Sequence, residues 1–192
     1  SDLILMLFTI LYMLTILLME KKDKEIYKGL SDTDALTGLF NRRAFQAAVD
    51  ETLLKRIAGI FIFIDVDNFK DYNDKYGHAN GDLCLKHFAA TMKKCFPKDS
   101  ILGRYGGDEF VVYIKNAVSD DAHRYMDEFQ REISHLMMSG GEHVTVSASA
   151  GGVAFAGEGE DFVSLCRSAD NMLYDVKRNG KGTFKIKDAK NM

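Results

Sequence analysis

Apolar and polar positions along this chain change their spacing several times, and each change marks an expected element. Residues 3–19 carry no charge. From Asn41 to Arg56 apolar side chains recur at helical spacing, with Phe45, Val49, Leu53 and Leu54 on one face. Gly59 to Ile64 is a continuous apolar run, the pattern of a strand buried on both faces. Asp67 to Tyr76 is polar and reads as a short helix, and Asp82 to Phe96 is helical by pattern. Ile101 to Tyr105 and Glu109 to Ile114 are short strands joined at Gly106-Gly107-Asp108, a hairpin signal. Val118 to Met138 reads as a long helix and Val144 to Phe155 as a strand. Phe162 to Asn179 is a helix stopped at Gly180, and Thr183 to Lys187 is a last strand. The order β-α-α-β-β-α-β-α-β contains the β-α-β-β-α-β core of a ferredoxin-like sandwich. The expected class is therefore α/β in the broad sense (α+β), with a sheet of about five strands flanked by helices.

The uncharged run Leu3 to Met19 holds seven Leu, three Ile and one Phe. At 0.3–0.6 kcal/mol each, these favour a bilayer by roughly 3–6 kcal/mol. As a helix the run would span about 25 Å, just short of a hydrocarbon core of about 30 Å. Glu20-Lys21-Lys22-Asp23-Lys24 follows, and Lys beside an apolar span marks the cytoplasmic side. The expectation is an inner-membrane anchor with the remaining chain in the cytoplasm. The alternative is a soluble dimerisation helix, because Leu3, Leu7, Ile10, Leu14 and Leu17 follow the 4-3-4-3 spacing of a coiled-coil seam. Its opposite face is also apolar, which favours the membrane. Residues 1–29 are thus read as a hydrophobic helix and linker, and residues 30–192 as a globular domain. The chain begins with Ser, which suggests a piece of a longer protein.

Composition narrows the function classes. Hydrophobic residues make up 46% and charged residues 28%, an ordinary globular balance. A net charge of −3 argues against a nucleic-acid binder working by bulk positive charge, so no nucleic-acid partner is expected. The three Cys form no C-x-x-C pair, which disfavours a disulfide scaffold or zinc finger and fits a reducing compartment. No Walker or dinucleotide glycine fingerprint occurs, and no His stands near Ser147 or Ser149 in sequence to suggest a hydrolase triad.

Candidate chemistry sits where apolar strands end in carboxylates. The run to Ile64 breaks into Asp65-Val66-Asp67, and alternation puts both Asp on one face. Paired carboxylates repel unless a cation joins them, and hard oxygen donors suit Mg²⁺ or Mn²⁺. Asp67 alone also reads as a cap of the next helix. Asp108 and Glu109 follow a Gly pair, and Gly107 lets a backbone turn tightly and a ligand approach closely. That turn also reads as an ordinary solvated hairpin tip. Between these points lies a polar stretch from Lys70 through Asn73 and His78 to Asp82. Asn and Asp side chains together can read a guanine edge, and Asp82 can equally cap a helix. Lys177-Arg-Asn-Gly-Lys181 is either a basic helix end or a grip on terminal phosphates.

The string Arg104-Tyr-Gly-Gly-Asp-Glu-Phe110 resembles the signature of the GGDEF family, the diguanylate cyclases. Further motifs stand in that family's order: Asp34 to Arg43, Asp65 to Lys70, Asn73 to Asp82, and Ala169-Asp170 leading to Tyr174 and Lys177. The resemblance covers about Ser31 to Lys187. It implies a nucleotidyl-cyclase-like fold and condensation of two GTP into cyclic di-GMP with release of two pyrophosphates, in a homodimer holding one GTP per subunit. It implies Mg²⁺ (or Mn²⁺) on Asp65, the Val66 carbonyl and Asp108, with Asp108 also serving as a base. Lys70 would stabilise phosphate charge, and the backbone around Asn68-Phe69-Lys70 would cradle the triphosphate. Asn73 and Asp82 would read guanine, with His78 in the same loop. Lys177 and Lys181 would hold terminal phosphates, Lys181 standing where the family often has Arg. Glu109 is retained. An upstream sensor would set the activity.

One departure from the family pattern concerns feedback. The Arg-x-x-Asp product site that many members carry before the hairpin is replaced by Pro97 and Ser100. Arg124-x-x-Asp127 and Arg167-x-x-Asp170 lie on later helices and read as i, i+3 surface pairs. The alternative to an active cyclase is a catalytically silent nucleotide-binding or partner-binding module on the same fold, since fold does not guarantee function. A silent relative would have lost a metal carboxylate or the Gly pair, and this chain keeps Asp65, Gly106, Gly107, Asp108 and Glu109.

Overall fold

Two-sided burial of a single strand organises the domain. The computed structural model describes residues 6, 9–17, 19, 31–134, 136–137 and 143–188. Its described elements are β1 (Phe40–Asn41), α1 (Arg42–Leu54), β2 (Gly59–Val66), α2 (Phe69–Tyr76), α3 (His78–Cys95), β3 (Ile101–Gly106) and β4 (Glu109–Lys115). There follow α4 (Ser119–Ile133), β5 (Leu136–Met137), β6 (His143–Val144), β7 (Ala148–Phe155), α5 (Phe162–Arg178) and β8 (Phe184–Lys187). Ile60, Ile62, Ile64 and Val66 of β2 enter one apolar cluster, and Phe61 and Phe63 enter the other. Period-2 alternation requires this split. Leu85, Phe88 and Met92 of α3 and Met126 and Phe129 of α4 complete the first cluster. Phe45 and Val49 of α1 and Phe162, Leu165 and Leu173 of α5 complete the second.

The main sheet runs β1-β3-β4-β2-β7-β8. Its inner pairs β3–β4, β4–β2 and β2–β7 are antiparallel, and the outer pairs β1–β3 and β7–β8 are parallel. The segment from β2 to β7 has the expected β-α-β-β-α-β connectivity, with an extra helix in its first crossover. Close approach fixes α5 over β7. A Cβ on Gly151 would lie 2.2 Å from Leu173 N and 2.3 Å from Ala169 O, so only glycine lets the helix sit there. This contact carries the C-terminal turn of α5, with Lys177, toward the carboxylate end of β2.

Several expectations need correction. The sheet has six strands rather than five, because β1 is two residues long and too short to show alternation. Helix α3 begins at His78, so Asp82 lies inside it and is not its cap. The segment His78 to Asp82 is polar and hides its helical nature from a periodicity test. Helix α4 ends at Ile133, well before Met138, where the Ser134 hydroxyl bonds the Arg131 carbonyl at 2.7 Å. The chain then forms the hairpin β5–β6 as a separate two-stranded sheet. The expected strand from Val144 to Phe155 is therefore two pieces, since Val144 pairs with Leu136 and β7 begins only at Ala148. Leu54, placed on the buried face of α1, is 85% exposed at the last helical position. Arg124 pairs with Asp121 at 3.0 Å rather than with Asp127.

The chain divides into two compact units, Ser1–Asp32 and Thr33–Met192. In the first, residues 9–17 are helical, and Ile10, Leu11, Tyr12, Met13, Leu14 and Leu17 are all exposed. Among the described residues no helix is long and apolar enough to cross a membrane. Several residues of the uncharged run, and all of 20–24, lie outside the described residues.

Candidate active site

Sheet register brings the two acidic segments together. Asp65, near the end of β2, lies directly opposite Glu109, the first residue of β4. Directly paired residues share a face, with Cβ atoms roughly 5 Å apart. The Val66 N–H donates to the Asp108 carbonyl at 3.2 Å, which draws the hairpin turn onto the end of β2. From the α5 side, Lys177 Nζ reaches Asp65 Oδ2 at 2.8 Å. Five residues from three distant stretches of sequence thus meet at one end of the sheet.

The turn itself is pinned. Arg104 Nε and Nη2 donate to the Gly107 carbonyl at 2.9 and 2.6 Å. Arg104 Nη1 donates to both oxygens of Asp34 at 3.1 and 3.3 Å. Asp34 in turn accepts from the backbone and hydroxyl of Thr37 at 2.9 and 2.7 Å. Gly107 has φ +45, a conformation that side chains disfavour.

Burial and neighbouring charges disfavour the ionised forms of two carboxyls here. Burial raises the Asp65 carboxyl above its ordinary value; Lys177 pulls it back, and the charges of Asp108 and Asp67 push it up again. Burial also raises Glu109, and Asp65 and Asp108 add to that rise against the pull of Lys177. A positive charge would relieve the repulsion on Asp65 and Glu109.

Residues 31–183 match the GGDEF family, described as diguanylate cyclase, GGDEF domain. The chain belongs to the GGDEF family. It is 34% identical to the response regulator PleD of Caulobacter vibrioides over 159 residues, covering 79% of this chain and 35% of that one. It is 32% identical to the cyclic di-GMP phosphodiesterase PdeR of Escherichia coli over 168 residues, covering 86% of this chain and 25% of that one. The matches span 25% to 50% of the curated relatives' own length. Among solved structures, the GGDEF domain of a Pseudomonas aeruginosa protein, TpbB or YfiN, superposes with a TM-score of 0.75 at 30% identity. That likeness covers 80% of this chain and 93% of the other. The GGDEF domain of DgcB from Caulobacter crescentus, in complex with c-di-GMP, gives 0.74 at 28% identity, covering 81% and 92%.

Within the GGDEF frame, the other expected residues fall into place unequally. Lys70 and Phe69 open α2, Lys70 being exposed. Asn73 packs on α3, its Oδ1 buried without a hydrogen-bond partner. A Cβ on Gly81 would fall 1.8 Å from that oxygen, so Asn73 occupies the space beside the residue preceding Asp82. His78 and Asp82 are exposed on the first turns of α3, one helical turn apart. Lys181 Nζ donates to Asn68 Oδ1 at 2.8 Å.

Asp67 departs from expectation. Its Oδ1 accepts from the Ser149 hydroxyl at 2.6 Å, and its Oδ2 accepts from the Ser147 hydroxyl at 2.8 Å and the Gly182 N–H at 3.0 Å. It is neither a free metal donor nor a helix cap, because Asn68 occupies the cap position of α2. No spacing in the sequence announces this, since its partners lie 80 to 115 residues away. The role of Arg104 as a clamp was likewise hidden, although both it and Asp34 lie inside motif strings.

The donor set fits a divalent cation in a particular way. Asp65, Asp108 and the Val66 carbonyl are hard oxygen donors, the kind Mg²⁺ and Mn²⁺ take. Among the described residues no group of three or more His, Cys, Asp and Glu converges as a metal cage. A cation there would be held by one or two carboxylates, with its remaining positions open to other oxygen ligands.

Proposed function

We propose that this chain is a diguanylate cyclase, condensing two GTP into cyclic di-GMP and two pyrophosphates. The observation that carries the reading is the register of Asp65 opposite Glu109, with the Asp108 carbonyl bonded to Val66 N–H and Lys177 on Asp65. Each half-reaction forms a bond from a 3′-hydroxyl oxygen to an α-phosphorus and breaks the bond to pyrophosphate. Such displacement needs charge neutralisation and in-line placement more than a covalent group. Asp108, at the turn, takes the hydroxyl proton. Lys70, Lys177 and Lys181 hold the phosphates, and the N-terminus of α2 at Asn68-Phe69-Lys70 supplies backbone donors. Asn73 and Asp82 read guanine beside His78, and the open Gly107 turn admits the sugar-phosphate. A bound Mg²⁺ or Mn²⁺ would neutralise phosphate charge and polarise the reacting phosphorus.

One subunit offers one nucleotide site, so the reaction requires two copies facing each other. The apolar exposed helix at residues 9–17 supports a tether or pairing segment ahead of the domain. In this reading it anchors the chain at the inner membrane, with the catalytic domain in the cytoplasm under an upstream sensor.

The test is incubation of the purified chain with GTP and Mg²⁺ at several protein concentrations, with nucleotides separated by chromatography. Cyclic di-GMP formed at a rate steeper than linear in protein is expected. No product, even when two copies are joined through a fused coiled coil, would overturn the reading in favour of a silent module.

A further inference from the structure

The turn that follows α5 is held by a residue that no chemistry has claimed. Gly180, Lys181 and Gly182 have φ of +125, +59 and +64, three consecutive residues in the left-handed half of backbone space. Lys181 carries a side chain, which rarely adopts that conformation and persists there only when its surroundings over-determine it. The surroundings are explicit. Gly182 N–H donates to Asp67 Oδ2 at 3.0 Å and lies 3.2 Å from Ser149 Oγ. Asp67 is buried and is braced by the Ser147 and Ser149 hydroxyls, while its own N–H donates to the Ser147 carbonyl at 2.9 Å. One carboxylate therefore ties the end of β2, the start of β7 and the turn after α5 into a single knot. The knot leaves Lys181 extended toward α2, with Nζ on Asn68 Oδ1 at 2.8 Å. Asn68 is itself left-handed, at φ +54.

We infer that Asp67 is a positioning residue: it locks the 180–182 turn so that Lys181 faces the N-terminus of α2, where terminal phosphates of a nucleoside triphosphate bind. The inference rests on the proposed function. It makes Asp67 act through Lys181 and not through a metal or the base. Both carboxylate oxygens serve as acceptors, taking three donors between them. In Asp67→Asn one carboxylate oxygen becomes an NH₂ group, which donates and cannot accept.

The test compares wild type, Asp67→Asn, Lys181→Ala and the double variant in binding 3′-deoxy-GTP, which lacks the attacking hydroxyl, and GMP, which lacks the terminal phosphates. Asp67→Asn is expected to weaken 3′-deoxy-GTP about 10-fold and GMP less than about twofold. In turnover it should raise KM for GTP about 10-fold with kcat within about threefold, the mark of lost uniform binding. The double variant should bind 3′-deoxy-GTP no more than about twofold worse than Lys181→Ala alone. Unchanged triphosphate binding in Asp67→Asn overturns the inference, as does an equal loss for both nucleotides or losses that multiply in the double variant. Should Asp67→Asn fail to fold, Ser147→Ala, at an exposed position, must show the same selective loss at about threefold, and its absence overturns the inference equally. Wild type that binds neither nucleotide overturns the cyclase reading itself and this inference with it. Wild type that binds both while the variants match it overturns the inference alone.

Discussion

Lys177 Nζ stands 2.8 Å from Asp65 Oδ2, with both side chains partly buried. The lysine occupies the place of a counter-charge in a pocket of three carboxylates. In the proposed function it also holds phosphates, which would give it two competing anionic partners. A triphosphate that drew Lys177 away would free Asp65 for a divalent cation. Mg²⁺ and the nucleotide should therefore bind cooperatively, each tightening the other by the same factor. Titration calorimetry with Mg²⁺ and 3′-deoxy-GTP, alone and together, measures that factor. In Lys177→Ala, Mg²⁺ alone should bind more tightly and the nucleotide about 10-fold more weakly. Weaker Mg²⁺ binding in that variant would refute the competition.

Glu109 and Asp65 are raised carboxyls, and the sign of their pH effect follows. The folded protein holds these protons more tightly than the unfolded chain does. Their contribution to stability therefore falls as pH rises from the ordinary values of 4.5 and 3.8 through the raised ones, and is constant above them. Glu109→Gln removes a charge that is half-buried and repelled. Without metal it should melt about 2–4 °C above wild type at pH 7 and close to it at pH 4. Differential scanning calorimetry in chelator at both values decides, and a lower melting point at pH 7 counts against the repulsion.

Arg104 is expected to matter more than its distance from the reacting groups suggests. Its fork holds the Gly107 carbonyl and both oxygens of Asp34. Burial opposes ionisation of Asp34, and the bonds from Thr37 and Arg104 more than reverse it, so its carboxyl is held below the ordinary value. Its stabilisation is thus present above pH 3.8 and is lost as pH falls through the lowered value. Arg104→Ala should cost about 2 kcal/mol in urea denaturation. It should also slow cyclisation at least ~10-fold, by loosening the turn that carries Asp108. Arg104→Lys should not rescue the rate, because an ammonium cannot span both partners as the planar fork does.

Gly81→Ala tests the proposed base-reading role of Asn73 without replacing a polar residue. Alanine is the better helix former, by about 1 kcal/mol. Its methyl would nevertheless fall 1.8 Å from Asn73 Oδ1 and displace that side chain. The expected outcome is a folded protein whose preference for GTP over ATP drops about 10-fold. Initial-rate competition between the two nucleotides measures it, and an unchanged ratio removes Asn73 from base recognition.

Much of this domain is legible along the chain. The apolar run at 59–64 is a buried strand, and helices α1, α2 and α5 start and stop within a few residues of expectation. The reason is local: alternation, helical spacing, and caps such as Asn41 and Asp161 act between near neighbours. The hairpin carrying Asp108 is legible for the same reason, since its Gly pair and flanking strands are contiguous. Where signals were short or ambiguous the reading failed. Strand β1 is two residues long, and Leu136 and Met137, which continue the helical spacing of Ile133, lie instead in strand β5.

Asp65 and Asp67 mark the division. By themselves the residues at 65–67 state that carboxylates end a buried strand, and the surrounding motifs name the family. Only the tertiary structure decides that the two carboxylates part company. Asp65 meets Glu109 and Lys177, whereas Asp67 is consumed by Ser147, Ser149 and Gly182. Hydrogen-bond partners separated by 80 to 115 residues leave no periodic trace in sequence. The sheet register and the packing of α5 on Gly151 select them, and both are properties of the assembled core.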